Sequence, residues 1–192
     1  MGGVMSSVTI SGDTSGSIIL QAPAVAGSTT LTLPSTSGTV LTSANAFSAG
    51  TGPAFGAYGP AGTLQSLTTN VTTKVQINTE DFDTNSNFDT SNYRFTPTVA
   101  GYYQVTGQVY YSGSGITQVN ARIYKNGSLV RNGTPVLCSS VTDIIALAST
   151  LVYMNGSTDY LELYARGTFS GATSVSGAAT DTYFQAFLAR SA

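Results

Sequence analysis

The most ligand-like stretch of the sequence is residues 80–89, EDFDTNSNFD, where oxygen-bearing side chains alternate. These side chains are Asp83, Asn85, Asn87 and Asp89. Calcium loops collect oxygen ligands at this spacing, but an EF-hand needs glycine where Phe88 stands and a bidentate glutamate where Arg94 stands. An EF-hand is therefore excluded. A looser calcium site and a solvated turn rich in Asx hydrogen bonds remain as alternatives, and we favour the turn.

No residue set in the sequence predicts catalysis. The chain contains no histidine, which excludes Ser-His-Asp triads, Cys-His pairs and His-dependent metal sites. Cys138 is the only cysteine; it cannot form an intrachain disulfide, and we expect a buried, inert thiol. Asp159 and Glu162 could in principle form a glycosidase pair, but at this spacing they point to opposite faces of a strand. We expect a protein without catalytic residues, cofactor or metal.

The sequence predicts β-strands throughout the chain, including those that carry the residues above. No stretch shows helical periodicity with capping residues, whereas short alternating runs separated by Gly, Pro, Asn and Asp recur along the chain. Asn-Gly pairs at 126–127, 132–133 and 155–156 predict tight turns beside strands. The predicted strands cover residues 7–10, 17–21, 29–33, 39–42, 74–78, 93–96, 101–111, 118–125, 144–153, 160–166 and 182–189.

Charge and composition limit the partners. Only 8% of residues are charged and the formal net charge is −2, with no basic patch in the sequence, so we expect no nucleic-acid partner. The longest apolar runs are a few residues, which excludes membrane insertion. The N-terminus, MGGVMSSVTISGD, lacks the pattern of a signal peptide. We therefore expect synthesis and folding in a cytoplasm.

Charge also divides the chain into segments. Sixty consecutive residues between Asp13 and Lys74 carry no charge. We predict a β-rich anchor or stalk over residues 1–46, a Gly/Pro/Ala connector over 47–62 and a globular head domain over 63–192.

The N-terminal segment has too few apolar residues to form its own core. Three interpretations stay open: a disordered tail, strands packed on the head, or a stalk intertwined between identical chains, which we favour because no charge would be buried at a symmetry axis. Its candidate interface residues are Leu31, Leu33, Val40 and Leu41.

Four motifs occur in order along the rest of the chain. Phe95-Thr96 precedes Gly101, Tyr103 and Val105; residues 123–127 read IYKNG; residues 155–163 read NGSTDYLEL; residues 183–188 read YFQAFL. Over residues 54–190 this series resembles the C1q/TNF-like jelly-roll family. The resemblance implies an antiparallel jelly-roll sandwich that forms a homotrimer, with apolar strand faces around a three-fold axis. It makes these aromatic residues candidates for the core or the trimer interface: Tyr110, Tyr111, Tyr153, Phe184 and Phe187.

The N-terminal run from Ala22-Pro23 through residues 30–34, TLTLP, to residues 38–42, GTVLT, is similar to a segment that recurs in bacteriophage tail-fibre and capsid-surface proteins. Together the two resemblances imply a non-enzymatic virion protein located at the virion surface, either a capsid decoration (cement) protein or a head fibre, attached to capsid or tail proteins through its N-terminal segment. The alternatives are a tail-fibre or tail-tip knob that binds host-surface glycan and a C1q-like extracellular ligand.

Overall fold

The computed structural model of the protein describes residues 7–11, 17–21 and 52–192. The chain separates into two units, residues 1–45 and 46–192. Every regular element in the described ranges is a β-strand, and no helix there could span a membrane. The prediction of an all-β protein is confirmed.

The N-terminal unit contains an antiparallel hairpin. Strands β1 (Ser7–Ser11) and β2 (Ser17–Gln21) pair from Ser7 opposite Gln21 to Ser11 opposite Ser17. These strands match the two predicted for this stretch. The strands predicted over residues 29–33 and 39–42, with Leu31, Leu33, Val40 and Leu41, lie outside the described residues.

Twelve strands form one continuous sheet in the C-terminal unit, and neighbouring strands are antiparallel. In chain order they are β3 (Ala54–Tyr58), β4 (Gln65–Ser66), β5 (Thr73–Lys74), β6 (Thr79–Asp83), β7 (Phe88–Asp89), β8 (Arg94–Phe95), β9 (Gly101–Lys125), β10 (Ser128–Asn132), β11 (Val136–Met154), β12 (Leu161–Phe169), β13 (Thr173–Ser176) and β14 (Tyr183–Ser191).

β9 is 25 residues long and runs through both layers of the sandwich. Its first part pairs with β14 and with the second part of β11, and β3 and β6 continue this first layer beyond β14. Its second part pairs with β12 and β10, and β5 and β8 add to β12 in the second layer. Between the two parts lies Gly115 with φ of 65°, a conformation that favours glycine.

The core lies between the two layers. Along the first part of β9, Tyr103, Val105 and Val109 are fully buried; they lie an even number of residues apart and therefore on one face of the strand. Phe55 of β3 stacks on Phe95 of β8 at a centroid distance of 4.4 Å. Aromatic rings from the two layers therefore close the sandwich.

β3 lies inside the predicted connector, yet it is a strand of the main sheet. Its Phe55 and Ala57 are fully buried. A Cβ at Gly56 would lie 2.8 Å from Cε1 of Phe82, so the glycine allows the ring of the neighbouring strand to approach. The small residues of this stretch thus permit close packing as well as connection.

Candidate functional site

The predicted calcium-loop residues act as hydrogen-bond acceptors of two separate turns. The Asp83 carboxylate accepts from the backbone N–H groups of Asn85 at 3.2 Å and Phe88 at 2.6 Å. The Asp89 carboxylate accepts from the backbone N–H of Asn92 at 3.0 Å and from its side-chain amide at 2.6 Å. The two carboxylates therefore cap different turns, as the Asx-turn alternative predicts.

The remaining loop residues are also engaged. Asn87 is buried, and its side-chain oxygen accepts from the backbone N–H of Thr98 at 3.2 Å. The hydrogen bonds from Asn92 lower the pKa of Asp89, which keeps it ionised in this role. In the described part of the chain, no group of three or more His, Cys, Asp or Glu side chains could hold a metal ion.

Asp159 and Glu162 are each paired with a different cation. Asp159 lies 2.7 Å from Nζ of Lys125, whereas Glu162, only 3% exposed, lies 2.8 Å from Nζ of Lys74. Each carboxylate is committed to its own ion pair. Cys138 is half-buried, and its thiol donates to the backbone oxygen of Ile116 at 3.2 Å.

The outer face of the first layer is rich in large, exposed apolar side chains. Along β11, Ile145, Leu147, Leu151 and Tyr153 are 44, 46, 56 and 42% exposed, and across the sheet Tyr102 and Phe187 are 44 and 53% exposed. We call these six residues the apolar face. Tyr102 and Tyr153 make an edge-to-face contact with ring centroids 5.5 Å apart. Large exposed apolar side chains concentrated on one face of a sheet are typical of an interaction surface.

In the part of the chain that the structure describes, charged side chains lie at the ends of the apolar face, including Lys125, whose Nζ is 5.7 Å from the ring centroid of Tyr153. Asp143 pairs across strands with Ser112 next to the Ile145 end, and Arg190 lies opposite Tyr102 at the other end. A hydrogen bond with Asp143 raises the pKa of Tyr110, so this phenol stays neutral. Between the ends, the polar residues are amides and hydroxyls such as Gln104, whose amide donates to Oγ of Ser149 at 2.8 Å.

A groove of about 160 Å³ opens beside the apolar face. It is lined by Phe82, Gln104, Thr106, Gln185 and Phe187, together with Ala54, Phe55 and Ala186. Phe82 is 52% exposed, so the groove has aromatic walls on both sides. Such a concavity accepts an apolar side chain from a partner.

The structure distributes the predicted interface aromatics among three environments. Tyr153 and Phe187 belong to the apolar face, and Tyr110 is half-buried near its edge. Tyr111 and Phe184 have no exposed surface, so they fill the chain's own core and cannot contact a neighbouring chain. For these two residues the core alternative applies.

Sequence reasoning missed four residues of the apolar face: Tyr102, Ile145, Leu147 and Leu151. A signal was present in the middle of β11, where the inward positions hold the small Ala146, Ala148 and Thr150, while Ile145, Leu147 and Leu151 point outward. On either side of this stretch the inward residues are large, namely Ile144, Val152 and Met154. Strands with one solvated face show the opposite pattern. Small residues inside and large apolar residues outside indicate a strand buried on both faces.

A second surface lies on the outer face of the second layer and is basic, contrary to the absence of a basic patch in the sequence. We call it the basic face; it consists of Lys74, Arg94, Arg122 and Arg166 with Tyr124, Tyr160 and Tyr164. It holds four of the seven Lys and Arg residues of the chain. The sequence does not show it because its residues come from β5, β8, β9, β12 and the residue before β12.

Comparison with solved structures assigns the fold to the C1q/TNF jelly-roll class. The chain is similar to the globular domain of zebrafish complement 1qA, with a TM-score of 0.52 at 14% identity over 73% of this chain and 99% of that chain. It is similar to the Eiger TNF of S. frugiperda, with a TM-score of 0.58 at 11% identity over 73% of this chain and 95% of that chain. It is also similar to murine APRIL, with a TM-score of 0.55 at 10% identity over 71% of this chain and 98% of that chain.

No protein-family model matches the chain, and neither does any curated protein sequence. At identities of 10–14% the structural likeness establishes the fold alone. It confirms the jelly roll that the four sequence motifs predict.

Proposed function

We propose that this protein is a non-enzymatic, homotrimeric structural protein of a bacteriophage virion, acting as a capsid decoration protein or head fibre. In this proposal the C-terminal jelly roll forms the outward head, and residues 1–46 attach it to the particle. The observation that carries the trimer is the apolar face, because six large exposed side chains on one sheet face need a partner.

The shape of the apolar face favours copies of the same chain as that partner. Its outer edge is the β11 strand, where Leu147 and Leu151 are exposed, and the aromatic groove beside Phe187 lies toward the other side of the same face. Exposed apolar side chains at the edge of one copy and a groove on the next can form a head-to-tail contact, which closes into a ring when the rotation is 120°.

The N-terminal unit supports an attachment role. The β1–β2 hairpin presents Ile19 with 58% of its surface exposed, and the sixty-residue stretch that contains β2 carries no charge. An uncharged strand segment can be buried against another protein without leaving an unpaired ion. The similarity of residues 22–42 to a segment of phage virion proteins supports a virion as the attachment site.

Deletion of residues 1–46 tests the attachment. We expect residues 47–192 to fold and trimerise, since they contain the whole twelve-stranded sheet, but to lose binding to particles. The measurement is cosedimentation with purified particles that lack the protein, using the full-length chain as the positive control. A truncated chain that cosediments as well as the full-length chain would contradict the proposed attachment.

A further inference from the structure

The cations of the basic face are unevenly neutralised. Glu162 pairs with Lys74 at 2.8 Å and with Arg94 at 3.7 Å, and Asp89 lies opposite Arg94 in the β7–β8 pair. Arg122 and Arg166 form no salt bridge to any described residue. The basic face therefore has neutralised cations at its β8 side and free positive charge at the β9 and β12 positions.

The two unneutralised guanidinium groups are held in place by neutral oxygens. Nη1 of Arg122 donates to Oγ1 of Thr72 at 3.0 Å, and Nε of Arg166 donates to the backbone oxygen of Asn70 at 3.2 Å. Each guanidinium has five N–H donors. Nε of Arg122 is buried without a partner among the residues that the structure describes, so the donors of Arg122 that remain for a ligand are on its two Nη atoms, and those of Arg166 are also on its Nη atoms. A guanidinium with free donors presents the planar fork that binds a carboxylate through two parallel hydrogen bonds.

Tyrosine rings lie among these cations. Tyr164 stands directly opposite Arg122 on β9 and opposite Lys74 on β5. Its ring centroid is 4.1 Å from that of Tyr124. Burial and the charge of Glu162 raise the pKa of Tyr164 to about 12, and its hydroxyl donates to Oε2 of Glu162 at 3.2 Å. The phenol stays neutral, and the pair of rings offers a rigid, half-exposed aromatic surface.

The free arginine charge and the tyrosine rings of the basic face together indicate the chemistry of a ligand. A strand face presents its side chains in open rows, which suits an extended polymer lying across them. Arginine forks bind carboxylates, tyrosine rings pack against flat, partly apolar surfaces such as the faces of sugar rings, and the surrounding Asn70 and Thr72 can bond hydroxyls. We propose that the basic face binds a glycan whose sugar rings carry carboxylate groups, which adds a binding activity to the structural role.

Nucleic acid fits the basic face less well. Binding to duplex DNA depends on how many phosphates are neutralised, and roughly 6–10 contacts are usual for strong binders. The basic face offers four cations, of which Lys74 and Arg94 already pair with Glu162. A ligand with a few spaced carboxylates and ring surfaces matches it better.

The test is calorimetric titration of the full-length protein with a galacturonic acid oligomer at low ionic strength. We expect binding that weakens as salt is added. The methyl-esterified oligomer keeps the rings but loses the charge, and poly-glutamate keeps the carboxylates but loses the rings. Neither is expected to bind comparably. Absence of binding to the oligomer, equal binding of either control, or tighter binding of a DNA duplex would each overturn the proposal.

Substitutions of two arginines test whether the oligomer binds at the basic face. Arg122→Gln combined with Arg166→Gln should weaken binding of the oligomer at least tenfold, since each change removes a charge-assisted contact. Arg131→Gln is the matched control, because Arg131 is bonded to Oγ1 of Thr150 on β11 instead of lying on the basic face; its binding should be unchanged. If the double variant does not fold, Arg166→Gln alone replaces it in the titration. In the wild-type protein the Arg166 guanidinium bonds only a backbone oxygen among the described residues, so its loss should leave the fold intact. Unchanged affinity in a folded variant would assign the binding elsewhere and overturn the proposal.

Discussion

Asp159 ties two loops of the head together. Its Oδ1 accepts from the side-chain amide of Asn126 at 2.7 Å, its Oδ2 accepts from the backbone N–H of Asn155 at 2.9 Å, and Lys125 lies 2.7 Å from the same oxygen. Burial opposes ionisation of Asp159, but these hydrogen bonds outweigh it and lower its pKa. One ionised carboxylate thus connects the β9–β10 turn to the β11–β12 loop.

Asp159→Asn should therefore destabilise the head in a pH-dependent way. The folded-state pKa lies below the ordinary aspartate value of about 3.9, so the carboxylate stabilises the fold above that pH and this contribution is lost as the pH falls through the lowered pKa. We expect the free energy of unfolding at neutral pH to fall by about 1–3 kcal/mol, and the difference from wild type to shrink in acid. Urea unfolding at fixed protein concentration across this range is the measurement.

Asp81→Asn is the control for that experiment, because Asp81 is exposed on β6 and its loss removes the same charge. It should leave the stability almost unchanged. If the free energies of unfolding of Asp159→Asn and wild type differed by the same amount from neutral to acidic pH, the role given to the ionised carboxylate would be contradicted.

At the scale of elements, β11 contributes four of the six residues of the apolar face. Its central inward positions, Ala146, Ala148 and Thr150, are small, whereas large apolar side chains on either side of them point outward, so covering by another chain would add to the apolar area that the strand buries. The apolar face also includes Tyr102 of β9 and Phe187 of β14. Assembly therefore depends on three strands of one layer acting as a unit.

Leu147→Glu should break the assembly. A glutamate buried in an interface without a partner is strongly unfavourable, so we expect the variant to become monomeric. Leu129→Glu on β10 is matched in residue type, charge and exposure, since Leu147 is 46% and Leu129 is 45% exposed, and it should leave the assembly intact. Sedimentation velocity measures the oligomeric state of each variant. Identical oligomeric states for both variants would exclude the apolar face as the interface.

The Asn-Gly pairs predicted where the chain turns but not how long each connection is. Asn126-Gly127, with φ of 52° and 75°, forms the predicted two-residue turn between β9 and β10. Asn155-Gly156 instead begins a longer loop, in which the Asn155 side chain accepts from the backbone N–H groups of residues 157, 158 and 159 at 3.0 Å each. Both pairs supply turns, but the length of the connection depends on strand pairing, which the dipeptide does not encode.

At the scale of the whole molecule, local patterns predicted the all-β class and the resemblance of the four motifs implied the jelly roll, but neither predicted the surfaces. Alternation in β9 grouped Tyr103, Val105 and Val109 on one face of the strand, and the structure shows that this face is the buried one. Alternation alone could place Phe184 and Phe187 on opposite sides of β14, since they are an odd number of residues apart, but not decide which side faces inward. The basic face joins residues from Lys74 to Arg166, and only the sheet order brings them together.

The central claim is that the apolar face is buried between three copies of the chain. The direct measurement is the molar mass of the purified full-length protein in solution by light scattering. We predict about 59 kDa, three times the 19.7 kDa of one chain, because closure of a head-to-tail contact at 120° gives a trimer. A stable mass of 19.7 kDa, retained as the protein concentration is raised, would contradict the account.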